Sequence, residues 1–194
     1  MIPICPLRRL ACVFAAVVLS VGLSAPAAQA VTVVKAEPNP AMWGWVDESR
    51  TYKIDNVNVG GHLVPQGWGA DSTEGLFIYS ALSDAGNGWK FQQRRDEPDG
   101  WSYYQIKNIH TNRCIKPGPL GGLNRTLVIQ VSCNTSDSSQ YWRVERSRAN
   151  PNQVQFVNHS SGQAFRPWTE SNGDQLIFMT NRDVSAAYWT LEAL

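Results

Sequence analysis

The chain has 194 residues, and its 17 Lys and Arg against 16 Asp and Glu give a formal net charge of +1. That balance leaves no basic excess to neutralise a phosphate backbone, which argues against nucleic-acid binding as the main role. Eight tryptophans are far more than ordinary usage supplies. A loop-rich domain of this size is hard pressed to hide them all in its core.

The first element is a targeting segment. Arg8 and Arg9 precede an apolar run from Leu10 to Leu23, and Ala28-Gln29-Ala30 follows. A charged start, an apolar run short for a bilayer and a small-x-small cleavage site predict a signal peptide over residues 1–30. The mature protein is then secreted, and without Arg8 and Arg9 it carries 15 basic against 16 acidic residues. No second apolar stretch reaches membrane-spanning length. Cys5 and Cys12 leave with the signal peptide, and Cys12 precedes the apolar run, so it cannot serve as a lipidated cysteine. Cys114 and Cys133 remain. Two cysteines in an exported chain read as one disulfide, stabilising the fold by about 3 kcal/mol.

Residues 31–49 read as an N-terminal arm, where Pro38 and Pro40 favour an extended path and Trp43 and Trp45 supply large rings. From residue 50 the chain repeats itself. The segments Tyr52–Pro65, Tyr104–Pro117 and Val154–Pro167 align without a gap. Each places an Asn (Asn56, Asn108, Asn158) before a shared apolar position (Leu63, Ile115, Phe165) and ends on its Pro. Each runs on into a second apolar strand, at Leu76–Tyr79, Leu127–Val131 and Leu176–Met179. A polar loop then leads to Trp89, Trp142 or Trp189, each followed two residues later by an apolar residue. Short alternation broken by Gly, Asn, Asp, Ser and Pro is the all-β pattern. One such unit cannot bury its own apolar face, but three around a pseudo-threefold axis share one core. The expected fold is a β-trefoil over residues 50–194, of three repeats of about 50 residues each. Its repeated tryptophans face the core, and its repeated asparagines satisfy backbone groups at a turn.

The second repeat combines Cys114-Ile115, Val131-Ser132-Cys133 and Gln140-Tyr141-Trp142. This resembles the ricin B-type lectin module, whose repeats pair two such cysteines and end in a Gln-x-Trp motif. The motif is complete only once, since the other copies read Asn87-Gly88-Trp89 and Ala187-Tyr188-Trp189. The resemblance implies a sugar-binding Asp two residues after the first cysteine. Lys116 stands there, with Val64 and Arg166 in the other copies, and none of these accepts hydrogen bonds from sugar hydroxyls. That argues against a galactose-type lectin. The chain also resembles the A-type, and more distantly the C-type, subunits of cytolethal distending toxins. These are ricin-type trefoils that deliver a nuclease subunit, with exposed aromatics in the first repeat. Trp68, Phe77 and Tyr79 occupy the matching places here, although the lipidation cysteine and the long tails of that family are missing.

Catalytic chemistry has little to work with. His62, His110 and His159 fall one per copy near the repeated turn, and their spacing is not that of a metal site. No Gly-x-Ser-x-Gly elbow occurs. Asp96, Glu97 and Asp99 could pair as acid and base, but Pro98 and Gly100 make their segment a solvated turn between repeats. We therefore expect no enzyme, no metal and no cofactor. Aromatic surface remains. Trp68 and Trp168 follow a repeat proline in loops, while Trp101 and Tyr103 lead into repeat two. Indole faces beside polar rims suit the C–H faces of sugars. The expected ligand-contacting residues are Trp68, Phe77, Tyr79 and Trp168. The expected partners are glycans or glycosylated cell-surface molecules, or else a nuclease-type toxin subunit together with a second trefoil subunit. A third class, a hydrolase inhibitor, would use the glycine-rich loop Gly118–Asn124.

Overall fold

The computed structural model describes residues 46–66, 75–79, 86–121, 125–168 and 175–194. The expected signal peptide, most of the arm, Trp43, Trp45 and Trp68 lie outside the described residues.

The period-two alternation becomes strands wherever the sequence displays it. Repeat one forms β1 (Tyr52–Asn56), β2 (His62–Pro65), β3 (Leu76–Tyr79) and β4 (Trp89–Asp96). Repeat two forms β5 (Ser102–Asn108), β6 (Cys114–Gly121), β7 (Arg125–Val131) and β8 (Tyr141–Arg146). Repeat three forms β9 (Val154–Asn158), β10 (Ala164–Pro167), β11 (Gln175–Thr180) and β12 (Trp189–Ala193). Six strands close a barrel in the order β1-β4-β5-β8-β9-β12, and β12 returns to β1 with Tyr52 opposite Ala193 and Asn56 opposite Trp189. The other six form three hairpins over one end, joined through β11 to β3 and β7 and through the Gly75–Ile129 bridge. This is the β-trefoil read from the sequence. Its register repeats: Leu63 faces Ile78, Ile115 faces Gln130, and Phe165 faces Met179.

Two sets of hydrogen bonds build the repeats and hold them to one another, the first within each repeat and the second between neighbours. The fully buried Trp89, Trp142 and Trp189 donate their indole N–H to the carbonyls of Leu63, Ile115 and Phe165 at 2.8, 3.0 and 3.2 Å. The donor and the apolar anchor of each copy are therefore one device. The buried asparagines do more. Each Oδ1 accepts the backbone N–H groups two and three residues on, at Asn58 and Val59, His110 and Thr111, or Ser160 and Ser161. Each Nδ2 donates to two carbonyls ahead of the preceding repeat's tryptophan: Ala186 and Tyr188, Gly86 and Gly88, or Ser139 and Tyr141. The turn that follows needs a positive φ, met by Gly60 at 70°, Asn112 at 60° and Gly162 at 66°.

The aromatic core is continuous. Phe91 stacks on Phe156 at 5.9 Å, Phe156 on Phe165 at 5.3 Å, and Trp189 leans on Phe165 at 5.1 Å. Val46 also packs into this core, although it falls within the residues read as an arm. The disulfide joins Cys114 and Cys133. One local expectation needs correction. Gly118–Gly121 is not a loop but the end of β6, with Leu120 opposite Thr126 and Gly121 opposite Arg125. A Cβ at Gly118 would sit 2.7 Å from Ile129 Cγ2, so close strand packing explains that glycine. Residues 122–124 lie outside the described residues. The acidic segment is the tip of the β4–β5 hairpin, and Asp96 is the last residue of β4.

Truncating Asn108 to Ala removes the partner of the Gly86 carbonyl and of the His110 and Thr111 N–H groups at once, while the Gly88 carbonyl keeps the Ile109 N–H. Urea unfolding should show a loss of about 2–4 kcal/mol with the denaturant slope unchanged.

Candidate functional site

The hairpin end of the barrel carries three of the expected aromatic residues, Phe77, Tyr79 and Trp168. Along β3, Leu76 and Ile78 are buried and face the core, so Phe77 and Tyr79 are half-buried on the opposite face. Trp168 follows β10 and donates its backbone N–H to the carbonyl of Leu176 at 3.0 Å. Leu176 in turn lies opposite Phe77. Trp168, Leu176 and Phe77 thus form one row across three adjacent strands. A second row holds Arg166, Phe178 and Leu127. The rows meet where the Trp168 ring packs on Phe178 at 4.9 Å, and the exposed Arg125 guanidinium lies over the same indole at 4.4 Å. Residues from all three repeats therefore contribute to one apolar surface with two arginines at its edge. Tyr79 stands apart, opposite His62. Trp68 lies outside the described residues.

Phe178, Leu127 and Arg125 escape a reading of the sequence because their adjacency crosses repeats. The alternation of β11 gave the available signal: Ile177 and Met179 turn to the core, so Leu176 and Phe178 must turn away.

The three positions where an Asp would hold a sugar share the outward face of the hairpins. Val64 lies opposite Phe77, Lys116 opposite Ile129 and Arg166 opposite Phe178. Val64 is buried, and Lys116 is engaged internally, its Nζ lying 3.0 Å from Asp137 Oδ2. Burial pushes the Asp137 carboxyl up, but hydrogen bonds from Ser139 and Lys116 outweigh it and hold the group below the usual carboxylate range. Gln140 is structural: its Oε1 accepts from Gln105 Nε2 and from the Asn134 N–H, at 3.0 and 2.9 Å.

A second polar and aromatic surface joins repeats two and three. Arg143 lies over the Trp101 ring at 5.0 Å and donates to Tyr103 Oη at 3.1 Å. Arg143 and Arg182 both pair with the buried Glu145. Tyr103 meets His159 edge to face at 4.6 Å, and His159 Nε2 lies 3.5 Å from Glu97 Oε1. His159 is thereby assigned to packing between repeats, and Trp101 to packing against Arg143 of its own repeat. His62 begins β2 rather than lying in a loop, and its Nδ1 pairs with Asp55. Asp96 bonds Arg94 and Ser102, and Asp99 receives the Tyr103 hydroxyl. Among the described residues no group of three or more His, Cys, Asp or Glu is placed to hold a metal ion.

The family model described as ricin-type β-trefoil lectin domain-like matches residues 85–179. No curated protein matches the sequence significantly. Among solved structures, a designed threefold-symmetric protein, ThreeFoil, is 18% identical with a TM-score of 0.64, over 74% of this chain and 99% of its own. SeviL, solved bound to asialo-GM1 saccharide, is 15% identical with a TM-score of 0.53, over 74% and 96%. A chain of the cytolethal distending toxin of Actinobacillus actinomycetemcomitans is 15% identical with a TM-score of 0.57, over 74% and 91%. Both likenesses read from the sequence therefore hold at the level of the fold.

Asp137 links acidity to stability. Its folded carboxyl titrates below the ordinary value, so its contribution is complete at neutral pH and fades as pH falls below about 4. Asp137→Asn should lower stability at pH 7 by about 0.5–1 kcal/mol, discounted for partial exposure. Thermal melts over a pH series should show the two proteins converging as the pH falls below the ordinary carboxylate range.

Proposed function

We propose that this ricin-type β-trefoil is a secreted, non-enzymatic glycan binder whose contact surface is the aromatic row on its hairpin end. The observation that carries this reading is Trp168, half-buried, backed by Phe178 and covered by the exposed Arg125. An indole held rigidly from behind presents a flat apolar face at little entropic cost. A sugar's C–H face displaces the guanidinium from the ring, and Arg125 and Arg166 then donate to hydroxyls from the rim. The lectin-like family model and the saccharide-bound SeviL support the ligand class. Secretion rests on the signal-peptide pattern of residues 1–30.

One stacked sugar gives about millimolar affinity, near −4 kcal/mol. Retention on a cell surface then needs several sites or a partner. This limit favours the second reading, a binding subunit of a toxin assembly, for which the likeness to the cytolethal distending toxin chain is the specific support. The nuclease subunit and second trefoil of such an assembly are the partners this reading requires.

On a broad glycan array the mature protein should bind at least one neutral oligosaccharide. Trp168→Ala should weaken that binding about tenfold, or about 1.4 kcal/mol. Binding indifferent to both Trp168→Ala and Trp68→Ala would remove the aromatic surface from consideration. Purification of the protein from its native secretion tests the second reading. A co-eluting nuclease chain is the expected result, and a clean monomer speaks for an independent lectin.

A further inference from the structure

The threefold repeat supplies its own control for one more feature. One residue before each repeat asparagine stand Asp55, Lys107 and Val157, and five residues after it stand Gly61, Arg113 and Gln163. In repeat one the charge is neutralised internally, since Asp55 pairs with His62. In repeat three the same places hold Val157 and Gln163, which carry no charge. Only repeat two keeps cations there. Lys107 lies directly opposite Lys90 on the β4–β5 ladder, so two ammonium groups share one face, an unfavourable cross-strand pair. None of the ion pairs among the described residues involves Lys90, Lys107 or Arg113. Arg113 Nη1 is buried without a hydrogen-bond partner.

Two of these cations, Lys107 and Arg113, line an open depression of about 400 Å³ together with Thr111, Asn112, Ser132 and Cys133. Its walls are fixed from several sides. The Cys114–Cys133 disulfide ties the end of β7 to β6, beside Lys107, which lies opposite Cys114. The Arg113 carbonyl accepts from the Asn108 N–H at 2.9 Å, and Asn112 is held at a positive φ of 60°. Two cations without an ion pair, Lys107 and Arg113, thus stand in preformed walls that also include Asn112 and Ser132, with Lys90 opposite Lys107 on the neighbouring strand. Such a concavity is complementary to a compact anion with several acceptor oxygens. We infer that this depression binds the sulfate or carboxylate group of an acidic saccharide. The identification of the ligand as a saccharide rests on the glycan-binding reading above, but the anion site does not. The site lies in repeat two at the asparagine turn, with no residue in common with the Trp168 surface.

The test uses the mature chain, titrated with a heparin-derived hexasaccharide, the same oligosaccharide fully desulfated, sialyllactose, lactose and inorganic sulfate. Calorimetry and the amide NMR shifts of Asn112 and Ser132 are the readouts. The sulfated hexasaccharide or sialyllactose should bind at least about tenfold more tightly than its neutral counterpart, and whichever does so identifies sulfate or carboxylate as the recognised group. The double substitution Lys107→Glu with Arg113→Gln should abolish that preference while near-UV circular dichroism and neutral-glycan retention stay unchanged. Lys107→Gln alone should reduce it partially and serves if the double variant misfolds. Equal affinity for acidic and neutral forms, or a preference that survives both substitutions, overturns the proposal. If no oligosaccharide binds but inorganic sulfate shifts Asn112 and Ser132 in the native protein alone, the anion site stands and the glycan reading falls. If sulfate moves neither amide, the site itself is refuted.

Discussion

Everything in this fold hangs on how a buried asparagine spends its side chain. One amide oxygen closes its own turn, and one amide nitrogen reaches across to two carbonyls of the preceding repeat. Four backbone groups are hydrogen-bonded by a single residue, three times around the ring, and one carbonyl of each set also accepts a backbone N–H. Because Asn56 belongs to the first repeat and its acceptors to the last, the same bond that joins neighbours also closes the circle. The tryptophan N–H bonds complement it from within, fixing each indole to the strand that begins its repeat's hairpin. The repeats are thus coupled by directed bonds as well as by a shared apolar core.

This arrangement explains what could be read from the residues and what could not. The Asn, Pro and Trp positions were legible because each performs the same geometric task three times, and identical tasks leave identical spacing. The outward turn of Phe77 and Tyr79 followed from alternation alone. Phe178, Leu127 and Arg125 were not legible as neighbours of Trp168, since that adjacency depends on how β11 sits between β3 and β7. His62 and Asp96 looked like loop residues because short strands leave little periodicity at their ends. The glycines after Pro117 suggested a loop, whereas Gly118 is a packing requirement beneath Ile129.

Symmetry also separates structure from function. Positions that agree in all three copies, such as the asparagines and the indoles, are explained by the fold. Positions where the copies diverge are free of that duty. At the residue facing Phe77, Ile129 or Phe178 the chain holds Val64, Lys116 and Arg166, and each makes a different local environment. The aromatic surface belongs to the junction of all three copies, while the cationic depression belongs to the second alone. One scaffold thereby presents chemically distinct faces without altering its core.

The β1–β12 ladder has a kinetic side. It joins residues at opposite ends of the described domain, so its closure entropy is the largest of any pairing in the barrel. Hairpins such as β4–β5 and β8–β9 bring together residues close in sequence and can form while the ring is still open. Linking the two ends and cutting the chain at the β4–β5 tip would preserve every ladder but hand the long-range closure to a different pair of strands. The native order of the repeats is thus a choice about which seam is sewn last.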